Sequence, residues 1–180
     1  YHSLAVASVV ERHHKEAIKS ALGLLGQGQM SLTKCLILVG EGVNPRDIRA
    51  VLRAIRDHWA AGETLILPGV PSDTLDFTAM TLNIGSKMVI DATPGVERVG
   101  AGLAPASGRP EGRPYNRGMI EQIVEAAGGT EHVVWEDCLL VVKTSGNGRA
   151  LVENLVARDL GSIKWVAAVS DDVDLHDPVS

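Results

Sequence analysis

Aromatic side chains and cysteines are scarce in this chain of 180 residues. Phe, Trp and Tyr together make up 3% of the sequence, whereas hydrophobic residues as a whole make up 45%. The core must therefore be built mainly from Val, Leu, Ile and Ala, which is typical of a buried parallel sheet covered by helices. The two cysteines, Cys35 and Cys138, lie inside apolar runs. This placement predicts buried thiols in a reducing compartment and argues against a disulfide framework.

Long apolar runs and an excess of positive charge are also missing. No uninterrupted run approaches the ~18 apolar residues of a membrane helix, so no membrane span is predicted. The 17 Lys and Arg residues against 22 Asp and Glu residues leave a net charge of −5, which argues against nucleic acid as the main partner. No signal peptide is recognisable, and we expect a cytoplasmic protein. The chain opens on Tyr1 and not on a methionine, which we interpret as the start of a fragment.

Apolar runs alternate with helical spacing along the whole chain. This order predicts an α/β fold, with helices layered over a mostly parallel and possibly mixed sheet. The strongest helix signal has Asn44 as its cap and ends at Gly62. Strands are predicted at Leu4–Val10, Cys35–Val39, Thr64–Leu67, Met88–Asp91, His132–Trp135, Cys138–Val142 and Trp165–Val169, and the other helices at Glu16–Leu25, Met119–Ala127 and Arg149–Leu160.

The chain also contains a partial internal duplication. A strand, a helix, a lysine and an apolar strand follow one another twice, with Lys34 and Lys164 in matching positions. This pattern predicts a duplicated βαβ unit. We therefore predict an α/β unit over residues 1–94, a Pro/Gly-rich linker or loop over 95–116, and a truncated second copy over 117–180.

Few segments carry a chemical signature. Gly26–Gly28 and Gly100–Gly102 both lack the third glycine of a dinucleotide-binding loop. Gly146–Gly148 lies between a predicted strand and helix, where its amides could bind a small anion, although a simple turn is the more economical interpretation. The acidic run Asp171–Asp174 lacks the glycine and the terminal glutamate of a calcium loop. No histidine has a metal-ligand spacing, and no metal site or catalytic set is predicted.

Lys34 and Lys164 are the remaining candidates. A lysine beside a buried strand can bind an anionic group, because its charge is partly desolvated there. The alternative is a lysine whose stem covers apolar surface while its ammonium stays in water. The spacing alone leaves both interpretations open.

Five segments follow one another in the first half of the chain: Tyr1–Val6, Leu32–Val39, Val43–Asp47, Leu75–Phe77 and Gly85–Thr93. Together they resemble, in order and spacing, the C-terminal domain of the UbiD-type decarboxylases. These enzymes are the 3-polyprenyl-4-hydroxybenzoate carboxy-lyases and their aryl and acrylic acid relatives. The resemblance covers about residues 1–93, and the later segment 163–177 looks like part of the same motif again.

The resemblance implies non-oxidative decarboxylation of aromatic or unsaturated acids with prenylated FMN, a divalent metal (manganese) and potassium. The family's catalytic and metal-binding residues lie in a preceding domain, so no catalytic residue is assigned here. By motif position Lys34 contacts the flavin phosphate, which a fixed cation would stabilise. Thr78, Met80 and Leu82 are expected to line the substrate pocket.

The same resemblance implies partners. They are a second copy of the chain, in a homodimer or higher homo-oligomer, and the preceding flavin-binding domains, without which this region is expected to be inactive and to bind no cofactor. The alternative hypothesis is a non-enzymatic module for oligomerisation or for binding a small anion.

The sequence departs from the family's pattern at one motif. The family's acidic run is poorly matched by Val39–Asn44 and better matched by Val169–Asp174.

Overall fold

The computed structural model describes residues 3–76, 79, 81–95 and 115–176. The chain divides into two compact units, Tyr1–Arg109 and Pro110–Ser180, called unit 1 and unit 2 below. Most of the predicted linker lies outside the described residues, as do Thr78 and Met80 of the expected substrate pocket. In the described part of the chain, no helix is long and apolar enough to span a membrane.

The described residues of unit 1 form a four-stranded mixed sheet with two α-helices and two short 3₁₀ helices. Its strand order is β1-β2-β4-β3, in which β1, β2 and β4 run parallel and β3 is antiparallel to β4. The parallel strands are joined through helices, as the alternating sequence pattern predicts. The elements in chain order are β1 (Leu4–Val9), α1 (Glu16–Leu25), β2 (Cys35–Gly40), α2 (Ile48–His58), β3 (Leu65–Pro71) and β4 (Ile84–Ala92).

Unit 2 repeats the parallel βαβ arrangement on a smaller scale. Its strand order is β5-β6-β7, with β5 antiparallel and β7 parallel to β6. The predicted α/β class with a mixed sheet is therefore confirmed in both units. The elements are α3 (Arg117–Ala127), β5 (His132–Trp135), β6 (Leu139–Lys143), α4 (Gly148–Val156) and β7 (Trp165–Val169).

Both cores are aliphatic, as the scarcity of aromatic residues requires. In unit 1, Ala17 and Ala21 of α1 pack on Leu36 and Leu38 of β2. The alternate residue Ile37 is also buried, and α2 packs against β2 and β4, so β2 is covered on both faces. The core of unit 2 comes from α3, α4, β6 and the segment between α4 and β7, and comprises Ile120, Ile123, Val124, Leu140, Val142, Leu151, Leu155, Leu160 and Ile163.

Several predicted element boundaries were wrong, some of them by more than two residues. Strand β4 begins at Ile84, four residues before the predicted Met88. The cap of α2 is Asp47 and not Asn44, because the carboxylate of Asp47 accepts the amides of Arg49 and Ala50 at 3.0 and 3.2 Å. The helix ends at His58, before the predicted Gly62. Strand β3 does not end at Leu67 but continues through Pro68 to Pro71. It is an edge strand, where a proline is tolerated, and Gly69 forms a bulge with a φ of 66°. Helix α4 ends at Val156, four residues earlier than predicted.

The internal duplication is visible in the strand register. Leu4 lies opposite Cys35 in unit 1, and Leu139 lies opposite Trp165 in unit 2, so Lys34 and Lys164 occupy matching positions. The turns that follow β2 and β7 also match. Asn44 Oδ1 accepts the backbone amide of Arg46 at 3.0 Å, and Asp174 Oδ1 accepts the backbone amide of His176 at 2.9 Å.

Candidate functional site

Lys34 stands at the amino ends of two parallel strands in unit 1. It immediately precedes β2, and its backbone carbonyl accepts the amide of Met88 at 2.8 Å, which joins it to β4. Because Cys35 lies opposite Met88, Lys34 and Lys87 are neighbours across the two strands. The parallel pairing therefore brings Lys34, just before β2, next to Lys87, the fourth residue of β4.

A buried carboxylate holds the ammonium of Lys34. Its Nζ donates to both carboxylate oxygens of Asp76, at 3.0 and 2.9 Å. The side chain of Asp76 is only 2% exposed, whereas that of Lys34 is 30% exposed. Asp76 thus fixes the position of the ammonium from inside the protein, while part of Lys34 faces solvent.

Lys87 is the second cation of this cluster. It is 5% exposed, and its Nζ donates to the carbonyl of Thr33 at 3.2 Å. Burial lowers the pKa of Lys87, an effect that the carboxylate of Asp76 opposes and the charge of Lys34 reinforces. A buried ammonium at this position therefore depends on Asp76 for its charge balance.

Two hydroxyl groups accompany the charges. Thr33 Oγ1 and Ser72 Oγ are buried and have no hydrogen-bond partner within the described structure. Gly85 lets the loop of Ser72 and Asp76 close on β4, since a Cβ there would lie 3.1 Å from the Cβ of Ser72. The Lys34 cluster, defined as Thr33, Lys34, Ser72, Asp76 and Lys87, carries two positive charges against one negative charge. This composition suits an anionic ligand.

The other predicted site residues are placed differently. Leu82 is 75% exposed in the turn before β4. The backbone amides that follow Gly146–Gly148 already have a hydrogen-bond acceptor. Asn147 Oδ1 accepts the amides of Arg149 and Ala150 at 3.1 and 3.2 Å. This loop caps its own helix. Among the described residues, no group of three or more His, Cys, Asp and Glu side chains is arranged to hold a metal ion.

Lys164 lies beside a cavity of about 310 Å³ in unit 2. Arg158 and Asp159 also line this cavity, together with apolar side chains such as Leu160 and Val166. The position that matches Lys34 therefore shares its cavity with an arginine, and the aspartate of that cavity lies in an exposed segment and not in the core.

Sequence reasoning identified Lys34 but missed Asp76 and Lys87 as members of the same cluster. Both residues lie in segments that carry the family resemblance, so a signal was present. It gave no indication that Asp76, 42 residues from Lys34, contacts that ammonium.

The fold and this cluster define an α/β domain with a partly buried pair of lysines where the start of β2 meets β4. Residues 1–92 match the 3-octaprenyl-4-hydroxybenzoate carboxy-lyase C-terminal domain, and the chain therefore belongs to this UbiD family. A similar protein from Archaeoglobus fulgidus, which is uncharacterised, is 37% identical over 94 residues, covering 52% of this chain and 20% of that protein. A 4-hydroxybenzoate decarboxylase component from Chlamydia pneumoniae is 39% identical over 88 residues, covering 48% of this chain and 15% of that protein.

Solved structures agree with this assignment. Vanillic acid decarboxylase of Sedimentibacter hydroxybenzoicus, in its open form, matches with a TM-score of 0.52 and 25% identity, over 68% of this chain and 26% of that chain. A UbiD-class enzyme of Pelotomaculum thermopropionicum in complex with FMN shares the fold, with a TM-score of 0.50 and 24% identity, over 59% of this chain and 23% of that chain. The chain thus spans about a fifth of the length of the curated relatives it matches, and about a quarter of the solved chains.

Proposed function

We propose that this chain is the C-terminal region of a UbiD-like decarboxylase, and that Lys34 binds the phosphate of prenylated FMN in the parent enzyme. The observation that carries the proposal is the Lys34 cluster, which lies inside the family segment and has an excess of one positive charge. The UbiD-class enzyme of Pelotomaculum thermopropionicum, whose fold the chain shares, is solved in complex with FMN.

The cluster fits a phosphate in charge, hydrogen bonding and access. Lys34 provides a partly exposed ammonium that the buried Asp76 holds in place. Thr33 and Ser72 add buried hydroxyls without partners among the described residues, so the polar capacity of the cluster is not used up within the described chain. When bound, prenylated FMN supplies the electron sink for loss of CO₂ from an aromatic or unsaturated acid. Lys34 would orient it through its phosphate.

The remaining parts of the proposal concern the parent enzyme. Manganese and potassium would be held by residues outside this chain, in the preceding flavin-binding domains. Thr78, Met80 and Leu82 would form part of the substrate pocket wall, and the exposure of Leu82 leaves it available for that contact. The chain would also support homo-oligomerisation and be inactive and free of cofactor alone. A cytoplasmic location belongs to the same proposal and is supported by the two free thiols, Cys35 and Cys138.

The test is Lys34→Gln in the full-length parent enzyme, with Lys164→Gln as the matched control in unit 2. A charge-assisted hydrogen bond is worth about 1.5–3 kcal/mol, so flavin retention after dialysis should fall by about 10-fold or more for Lys34→Gln. Flavin absorbance per protein measures this loss, and Lys34→Arg should recover part of it. Unchanged flavin content and rate in Lys34→Gln, with the assembly intact, would favour the oligomerisation module instead.

A further inference from the structure

The cavity of about 310 Å³ in unit 2, called the Lys164 cavity below, is lined by residues from the end of α4 to the start of β7. Half of its wall is apolar, and two of the apolar residues, Leu160 and Ile163, belong to the buried core. Arg158, Asp159 and Lys164 supply the charged part of the wall. Ligand sites in proteins commonly have volumes of about 300–1,000 Å³, so this cavity has the size of a site for a small molecule.

Neither cation of the Lys164 cavity is neutralised by a carboxylate within the described chain. Arg158 donates from Nε and Nη2 to Asn154 Oδ1, at 3.4 and 3.2 Å, and this amide oxygen carries no net charge. The ammonium of Lys164 has no hydrogen bond or ion pair with a described residue. Lys34, by contrast, is held by the carboxylate of Asp76 at 2.9 Å. Two positive charges therefore line the cavity without the counter-ion that the matching site in unit 1 has.

Asp159 does not replace that counter-ion. Its Oδ1 accepts the amide of Gly161 at 3.0 Å, in a turn where Gly161 has a φ of 63°. Among the described residues, no ion pair joins Asp159 to Arg158 or Lys164, although all three line the same cavity. The wall thus carries two positive charges against one negative charge, and a ligand with a single negative charge would balance it.

The charges and the apolar wall together define the chemistry of the ligand. A carboxylate accepts charge-assisted hydrogen bonds from an ammonium and from a guanidinium, and these are among the strongest polar contacts in proteins. A monocarboxylate matches the excess of one positive charge, whereas a phosphate dianion exceeds it. The apolar wall includes the half-buried Val166 and the exposed Val156, whose contact with a hydrocarbon chain would remove apolar surface from water.

We propose that the Lys164 cavity binds a small monocarboxylate with a short apolar chain. Arg158 and Lys164 would bind the carboxylate, and the apolar side chains would cover the hydrocarbon. The site lies in unit 2, outside the residues 1–92 that match the UbiD family, and it does not depend on the decarboxylase assignment.

The test titrates the whole chain with hexanoate and follows the backbone amides by NMR. We expect the largest shifts at Leu160, Gly161 and Lys164, and a Kd of about 1 mM, which is typical of a ligand with few atoms. Hexanamide keeps the hydrocarbon chain but loses the charge, and acetate keeps the charge but loses the chain. Each should bind at least about 10-fold more weakly than hexanoate. Inorganic phosphate should also bind more weakly.

Substitutions in the cavity separate a specific site from a general effect of charge. Lys164→Gln should weaken hexanoate binding at least about 10-fold, and Lys164→Arg should retain most of the affinity. Asp159→Asn keeps the oxygen that accepts the amide of Gly161 but removes a charge of the same sign as the ligand. It should tighten binding at least about twofold, a gain that misfolding cannot produce. Arg149→Gln is the matched control, because Arg149 is 87% exposed on α4 and does not line the cavity.

The outcomes that would overturn the proposal are equally specific. Hexanamide, acetate or phosphate binding as tightly as hexanoate would remove the monocarboxylate with an apolar chain as the ligand. Shifts centred on the Lys34 cluster, or an equal loss of affinity in Arg149→Gln and Lys164→Gln, would remove the cavity as the site. No shift of these amides at about 10 mM hexanoate would exclude both.

Discussion

Two lysines at matching positions in the two units have different surroundings. Lys34 is held by the buried Asp76 and lies beside the buried Lys87, in a sheet that continues through β4. Lys164 precedes the last strand of its sheet and faces a cavity with Arg158 and the exposed Asp159. A duplicated βαβ unit thus preserves the position of a side chain but not its electrostatic environment, which depends on the strands added beside it.

Removal of Asp76 tests this comparison with the largest expected effect. Asp76→Ala leaves two neighbouring ammonium groups without the carboxylate that balances them, and breaking a buried ion pair costs about 3 kcal/mol or more in the free energy of unfolding. The matched change in unit 2, Asp159→Ala, lies in an exposed segment and should cost less than about 0.5 kcal/mol. Urea denaturation of both variants measures the difference, and similar values for the two would contradict the proposed asymmetry.

The Asp76→Ala variant should also change how the free energy of unfolding depends on pH, through the pKa of Lys87. Because burial lowers the pKa of Lys87 below its ordinary value of 10.5, the unfolded chain binds more protons than the folded chain between the folded and unfolded pKa values. The free energy of unfolding should therefore rise with pH across that window. Asp76 raises the pKa of Lys87, so Asp76→Ala should widen the window towards lower pH. Lys87→Met should remove this dependence, and a slope that persists in Lys87→Met would assign it to another group.

The helix caps provide a smaller effect that should be similar in the two units. Asp47 and Asn147 each accept two amides, at 3.0 and 3.2 Å and at 3.1 and 3.2 Å respectively. Asp47→Ala and Asn147→Ala should each cost about 1 kcal/mol in the free energy of unfolding, measured by urea denaturation. Asn44→Ala is the control, because Asn44 accepts an amide in the turn before α2 and not in the helix. A larger loss for Asn44→Ala than for Asp47→Ala would contradict the assignment of the cap.

The smallest effect concerns the thiol beside Lys34. Burial raises the pKa of Cys35 to about 11, above its ordinary value of 9.0. Alkylation by iodoacetamide in a Cys138→Ala background should therefore be slow at about pH 8 and rise with a midpoint near that pKa. The raised pKa also means that the stability contributed by the protonated thiol is present below pH 9.0 and lost as pH rises towards about 11. An alkylation midpoint at or below 9.0 would show that the thiol is not desolvated.

Local patterns were sufficient for most of the secondary structure. The bounds of α1, β5 and β7 agree with the prediction because each has a clear apolar period between polar or glycine breaks. The cap of α2 was misplaced, since Asn44, Pro45 and Asp47 all fit the start of a helix and only the backbone path selects among them. The end of β3 was also misplaced, because the structure continues this strand four residues beyond the predicted Leu67.

The candidate site shows the same limit more strongly. Lys34 could be predicted from its place before an apolar strand and from the family resemblance. Its contact with Asp76 and its neighbour Lys87 required the parallel pairing of β2 with β4 and the closure of a loop over Gly85. These contacts join residues 42 and more positions apart, which no local period can relate.

The sequence by itself determined the α/β class, the aliphatic cores, the duplication and the family. These follow from composition, periodicity and matching segments, all of which are local or linear properties of the chain. Only the tertiary structure decided which lysine has a buried counter-ion, which edge of each sheet is paired among the described strands, and which amides a loop has already satisfied. Charge balance and edge pairing depend on residues that are distant in sequence, and the fold alone brings those residues together.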